Sequence, residues 1–364
     1  MKYKPNWDDT QERLTALWQG RALGRPCLAV TAPSGRAPQT PPLPPDPEAR
    51  WMDPDTVLSL ARAQLENTWW GGESIPSFLL MGGWVVSLGG TPHFDTRTIW
   101  FDPQPCDFEK PPPFRYDPAD PWVIKHRRLY ERMLDAAGWD DFLVGQPCFL
   151  PANDLLSMHM GTDTFLLALV DHPEWMREAI LNGVRGLIQA RRELRELAKE
   201  RHRFPYGIAG WMPFWAPQSF IGTQSDVSCL LSPDLFETFI VPELDAMAQQ
   251  GEALWYHLDG GNARQHLPHL LSMPALRVIQ YTPMPSEPPN GPEHLALYRQ
   301  IQVAGRIVHI DVPPNHVEPL VRALDPGLLI LQIHCSRPEE GQELIRAAER
   351  WTASRSYPPP QRHV

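Results

Sequence analysis

No stretch of this chain is basic enough to follow a phosphate backbone: Lys and Arg total 33 against 43 Asp and Glu, giving a net charge of -10. Nucleic acid is therefore not an expected partner. No uninterrupted apolar run is long enough to span a bilayer, and the opening residues, Met1 to Asp9, have no apolar segment behind their charges. A soluble, cytoplasmic protein with no membrane partner is the expectation. Cysteine is sparse, and Cys27, Cys106, Cys148, Cys229 and Cys335 form no C-x-x-C pair. That argues against a disulfide framework and against a zinc finger. Gly82-Gly83 and Gly89-Gly90 lack the spacing of a dinucleotide fingerprint, and no G-x-x-x-x-G-K-[ST] occurs.

Proline and tryptophan, by contrast, are abundant, with 42 and 14 residues. Proline at this density marks rigid loops, and so many tryptophans imply a heavily aromatic core or an aromatic-walled pocket. Two proline-rich loops, Pro33 to Pro47 and Pro103 to Pro121, break up the first 120 residues. Between and around them the pattern predicts helices at Asp8 to Gln19 and Pro54 to Asn67, strands at Cys27 to Thr31 and Ile75 to Met81, and a hairpin strand at Thr96 to Phe101. From residue 121 the spacing becomes regular. Strands are predicted at Phe142 to Pro147, Tyr206 to Ala209, Leu254 to Leu258, Leu276 to Tyr281, Arg306 to Asp311 and Leu328 to Ile333, with helices between them. Strands alternating with helices in this way predict an α/β fold, a single (β/α)8 TIM-type barrel over residues 1–364 with an N-terminal helical and proline-rich loop extension. An open doubly wound sheet is the alternative.

In such a barrel the chemistry sits at the C-terminal ends of the strands. Those ends here carry Gln146, Trp211, His257 with Asp259, Gln280 with Tyr281, His309 with Asp311, and His334-Cys335. Successive strand side chains alternate sides, so His257 and Asp259 point the same way with Trp255 below them, and only one of His334 and Cys335 can join them. Trp211, Trp215 and Trp255 are candidate pocket walls beside Gln146 and Tyr281, suited to a quaternary ammonium, a sugar face or an aromatic ring; core packing is the competing reading for each. Asp226, in a loop, is a candidate for orienting substrate or moving a proton, with Asp259 as its partner carboxylate. His309 with Asp311 reads equally as a hydrogen-bonded structural pair.

The stretch Asp226-Val-Ser-Cys-Leu-Leu-Ser-Pro-Asp-Leu-Phe236, then His257-Leu258-Asp259-Gly260, then a last apolar strand ending in Cys335, resembles the uroporphyrinogen decarboxylase superfamily. The likeness is to its divergent corrinoid-dependent methyltransferase-like members. It implies the barrel fold and two chemistries. True decarboxylases hold substrate carboxylates with early arginines, and this chain has Arg21 and Arg25 there without the full arginine-rich motif. The methyltransferase branch uses a zinc ion, held by a His-x-Cys pair and a later Cys, to activate a thiol that takes a methyl group from a corrinoid protein. The resemblance carries that ligand set onto His257, Asp259 and Cys335, with Asp259 standing where the branch has a cysteine.

One carboxylate for one thiolate keeps the charge at the ion but makes the ligand set harder, so the ion becomes a stronger Lewis acid and its bound thiolate less nucleophilic. The leading expectation is a methyltransferase or demethylase-type enzyme on a small methylated or carboxylated substrate, with zinc, a corrinoid or corrinoid protein, and a possible homodimer. A metal-free decarboxylase, lyase or hydrolase using Asp226 and Asp259 as paired carboxylates is the second, and a non-catalytic binding barrel the third.

Overall fold

The computed structural model describes residues 1–37, 40–80, 91–112, 114–145, 150–210, 212–250 and 252–354. Eleven strands are present among them. They are β1 (Cys27–Pro33), β2 (Thr68–Gly72), β3 (Pro92–Phe94), β4 (Ile99–Phe101), β5 (Gly207–Ile208), β6 (Phe214–Trp215), β7 (Phe220–Gln224), β8 (Ala253–Asp259), β9 (Leu276–Thr282), β10 (Ile307–Asp311) and β11 (Leu329–His334). Seven form the main sheet, in the order β2-β1-β11-β10-β9-β8-β7, parallel throughout except for β2. The remaining strands pair as short hairpins, β3 with β4 and β5 with β6.

Strands covered on both faces need apolar residues on both, and the two faces here have different neighbours. Leu28, Val30, Leu254, Tyr256, Leu331 and Ile333 face outward into one core layer under the helices Pro173–Arg201 and Pro338–Ala353. Cys27, Ala29, Trp255, Val278, Ile307 and Ile330 face inward, against Trp7, Leu14, Leu17 and Trp18 of the first helix, Trp7–Trp18. That helix closes one end of the inner layer, and each Leu-sized side chain it buries contributes roughly 1.5–3 kcal/mol.

The architecture established is a mixed α/β fold around this sheet; among the described residues, hydrogen bonds closing it into an eight-stranded barrel are absent. Outside this sheet, short segments pack against one another. Ser77 bridges Leu143 in parallel, Leu143 N–H donates to Pro76 O at 2.8 Å, and β5 lies alongside. The approach is close: a Cβ on Gly145 would stand 2.1 Å from the Ala209 nitrogen.

The strands depart from the sequence expectation at several places: β2, β3, β6 and β7 are unexpected, the strands expected at Ile75 to Met81 and Phe142 to Pro147 amount, among their described residues, to the Ser77–Leu143 bridge, and the one expected at Tyr206 to Ala209 pairs with β6 outside the main sheet. β7 carries a glycine at its centre and follows a proline-rich stretch, so its five residues gave no strand signal. β2, Thr68-Trp-Trp-Gly-Gly72, ends in two glycines and carries no strand expectation, yet it runs antiparallel to β1. Its carbonyls are satisfied from the N-terminus, where the fully buried Lys4 ammonium donates to Trp70 O and Gly72 O at 3.2 and 2.7 Å, and Thr10 Oγ1 donates to Gly72 O. Such side-chain donors blunt an edge strand.

The register determines what reaches the mouth. One hydrogen-bonded row runs Gln224, His257, Gln280, His309, Ile330, Cys27 across β7, β8, β9, β10, β11 and β1. It begins at the last residue of β7 and ends at the first residue of β1. The row thus passes from the C-terminal end of β7 to the N-terminal end of β1.

Candidate metal centre at the strand ends

Asp226, His257 and Asp259 converge where β7 and β8 end. Each offers one ligand atom, and these atoms all lie within 4.8 Å of one another. The period-2 alternation of β8 puts His257 and Asp259 on one side, with Nε2 of the histidine 3.9 Å from Asp259 Oδ1. Asp226 arrives from the turn after β7, the neighbouring strand. Gly260 then takes the chain away from the rim: its φ of +78° is open to glycine, and a Cβ there would meet Met284 Sδ at 2.5 Å.

Each of these side chains is held from behind. His257 Nδ1 is hydrogen-bonded to Gln280 Oε1, its partner in the row, and Gln280 Nε2 donates to Thr282 Oγ1 at 3.0 Å. With Nδ1–H engaged by a carbonyl oxygen, Nε2 is left as the ligand atom. Behind Asp226 stands Asp154 of the helix Ala152–Met160, a residue with no signal in the sequence. Its carboxylate accepts from Asp226 N–H at 3.1 Å, from Val227 N–H at 3.3 Å and from Gln224 Nε2 at 3.1 Å. The same Gln224 amide donates to Asp226 Oδ2 at 2.7 Å. Asp154 therefore fixes both the backbone that carries Asp226 and the amide that aims it. The helix supplying Asp154 is itself tied down, since the buried Glu243 accepts from Ala152 N–H, Asn153 N–H and Asn153 Nδ2, and Ser225 Oγ donates to Asn153 Oδ1.

The carboxylates perturb one another. Burial, with the nearby Asp226 charge adding to it, pushes the Asp154 carboxyl up to about 7. Burial likewise raises Glu243 to about 8, its hydrogen bonds to Asn153 and Ala152 opposing the rise. Desolvation at the mouth wall raises Asp226 too; His257 opposes that shift and Asp259 reinforces it. Carboxylates crowded at one place in this way favour a cation between them or a shared proton.

The other expected site residues are distributed differently. Cys335 is a correction. It lies one step past β11 on the outer face, packed in the same layer as Leu331 and Ile333, outside the cluster around His257. Burial and the Glu340 charge push its thiol up to about 11, away from the thiolate a metal needs. The residue of that pair on the inner face is His334, whose Nδ1 lies 2.6 Å from Thr31 Oγ1. Tyr281 also faces outward, fully buried, its hydroxyl held by Arg264 and by Glu287 at 3.2 Å. Trp215 is buried against Trp7 at 6.0 Å between ring centroids, in the core layer below the mouth. Trp255 lies on the inner face one step below His257, and its Nε1 donates to His309 Nδ1 at 3.2 Å. Gln146 and Trp211 lie outside the described residues.

His309 and Asp311 are not a mutual pair. His309 is sealed in the core, where burial drives its imidazole down to about 3, while Asp311 is raised by desolvation and lowered by the His334 charge from the next strand.

Comparison with known proteins adds the fold and little else. No protein-family model matches the chain, and no curated protein matches it by sequence. Among solved structures it is similar to a methyltransferase from Methanosarcina mazei, at 13% identity with a TM-score of 0.59, covering 95% of this chain and 99% of that one. The likeness is in fold. No helix among the described residues is long and apolar enough to cross a membrane.

Proposed function

We propose that this chain is a methyl-transfer or demethylation-type enzyme for a small methylated or carboxylated compound, with zinc held by Asp226, His257 and Asp259 at the rim of the sheet. The observation that carries this reading is the convergence of these three side chains within 4.8 Å. The donor set suits the ion. One imidazole and two carboxylates balance a divalent charge, and three protein ligands leave a position for substrate. The methyltransferase of similar fold supports the reaction class. A corrinoid, on a partner protein or free, is the methyl carrier on the other side of the reaction in this reading.

With Cys335 on the outer face, the set contains no sulfur and is harder than His with two Cys. Zinc bound there would act as a Lewis acid and lower the pKa of a coordinated thiol or water. The chain's own contribution is positional. Gln280 holds the His257 ring in the tautomer that presents Nε2, Asp154 and Gln224 fix Asp226, and the Asp259 side chain, 45% exposed, faces the side from which substrate arrives. Trp255 gives the site a floor that excludes water from below.

The test is to incubate zinc-loaded protein with methylcobalamin and a panel of small thiols, following the cobalamin spectrum and thioether formation. Demethylation above background that disappears in His257→Ala and Asp259→Ala is the expected result. Zinc-loaded protein that leaves methylcobalamin untouched with every thiol, and also fails to demethylate small methylated donors with free cobalamin, would remove the methyl-transfer reading.

A further inference from the structure

Far from the rim, the helix Pro173–Arg201 turns Arg191, Arg192 and Arg195 toward the start of β7 and β8. Together with Gln250, Glu252 and an apolar wall they line a cavity of about 90 Å³. Glu252 is the only carboxylate in that lining. It pairs with Arg191 Nη1 at 2.6 Å and with Arg195 Nη1. Arg191 also donates to Phe220 O, Arg195 to Ser219 Oγ at 2.8 Å, and Arg192 to Gln250 Oε1 at 3.2 Å.

Three guanidinium groups thus line the cavity with one carboxylate, a formal excess of two positive charges in the lining. Arg191 and Glu252, each only 8% exposed, form the buried pair, while the exposed Arg192 and the half-buried Arg195 carry the excess. Burial pulls Arg191 down to about 10, with Arg195 pulling the same way and Glu252 opposing, as expected where cations outnumber anions. Arg195 Nε is buried and has no hydrogen-bond partner among the described residues. In the larger cavity beside β2 the formal excess is only one, Arg13, Arg25, Arg36 and Lys2 standing against Asp9, Glu66 and Glu73.

We infer that the Arg191-Arg192-Arg195 cavity is a binding site for a phosphate dianion, either free or as the terminal phosphoryl group of a monoester. A phosphoryl group carries about -1.5 to -2 at neutral pH, matching the excess of two, and its oxygens accept from guanidinium forks in a way a monatomic anion cannot. The cavity is about three times the ~30 Å³ that a water occupies in the liquid, room for the phosphoryl group but not for a large body behind it. The site is separate from the rim. Phe220 and Gln224 stand at opposite ends of β7, about 13 Å apart at ~3.3 Å per residue.

The experiment is calorimetry and thermal unfolding of the full chain with inorganic phosphate, glycerol phosphate and sulfate, against chloride at matched ionic strength. Arg192 is exposed, so Arg192→Ala tests the site without threatening the core. Phosphate is expected to bind and raise the melting temperature, with affinity falling roughly tenfold in Arg192→Ala and partly restored in Arg192→Lys. Binding of glycerol phosphate as well identifies a monoester as the ligand, and phosphate without glycerol phosphate identifies the free ion, provided sulfate is weaker than either. No difference from chloride, or equal affinity in wild type and Arg192→Ala, would overturn the assignment. So would sulfate binding as well as phosphate while glycerol phosphate is refused, which means an adventitious ion only.

Discussion

His257 and His309 occupy the same hydrogen-bonded row of one sheet, separated by Gln280, and each precedes an aspartate by two residues. Their environments are opposite. His257 meets Asp259 and Asp226 at the rim, whereas His309 is sealed between Trp255 and Phe214. The stagger of the strands is the cause: the row that reaches the mouth at β7 and β8 has sunk into the core by β10 and meets the floor at Ile330 and Cys27. The rim positions on β10, β11 and β1 are consequently Asp311, His334 and Thr31, the last two paired in register. Identical local motifs become a ligand set or a core contact according to their height on the sheet.

That contrast can be broken most forcefully at the histidines themselves. His257→Ala should lower zinc affinity by at least ~100-fold, more than the 10–100-fold typical of outer-shell changes, with little loss of stability. His309→Ala should do the reverse, leaving zinc affinity within about threefold while costing on the order of 3 kcal/mol through the cavity and the orphaned Trp255 N–H. Zinc titration and urea unfolding of the two variants decide the matter, and similar behaviour in both would erase the distinction.

The residues that aim the cluster come next. Asp154→Asn and Gln280→Leu are each expected to weaken zinc by about 10–100-fold while the three ligands remain. Unchanged affinity in Asp154→Asn would show that Asp226 needs no support from behind.

Acid pH sharpens the contrast further. A buried histidine driven down to about 3 stabilises the fold above its unfolded value near 6.5 and gives up that stability as pH falls toward 3. Stability of the wild type should therefore fall between pH 6.5 and 4 with a contribution of up to about 1.4 kcal/mol per pH unit that is missing in His309→Leu. Parallel curves for the two proteins, measured by urea midpoints across that range, would contradict the buried neutral imidazole.

The smallest effect is expected at Cys335. Cys335→Ala should leave zinc binding unchanged and cost about 1 kcal/mol of packing, because the thiol lies in the outer core layer. A loss of zinc in this variant would return the cysteine to the site.

The placement of Cys335 also shows where sequence reasoning worked and where it failed. The rule that alternate strand residues share a face correctly joined His257 to Asp259 and placed Trp255 beneath them. Applied to β11, the same rule demanded a choice between His334 and Cys335. The family resemblance favoured Cys335, but Gln332 is in phase with His334, and a polar residue inside an apolar strand marks the inner face. Tyr281 fails for the same reason, being in phase with the outward Ile279 while Gln280 turns inward. Trp215, expected as a pocket wall with core packing as the competing reading, is core because the first helix packs Trp7 against it. Asp154 could not have been found in this way, because its partners lie 70 to 73 residues away and its helix has no distinctive spacing. The alternation of strands and helices identified the α/β class, while β2 and β7 were hidden by their glycines.

The most direct measurement is the metal content of protein purified without chelator, wild type beside His257→Ala and Cys335→Ala. About one zinc per chain in the wild type and in Cys335→Ala, and none in His257→Ala, is the predicted result. No metal in any of the three even after zinc is supplied, or zinc retained in His257→Ala, would contradict the centre formed by Asp226, His257 and Asp259.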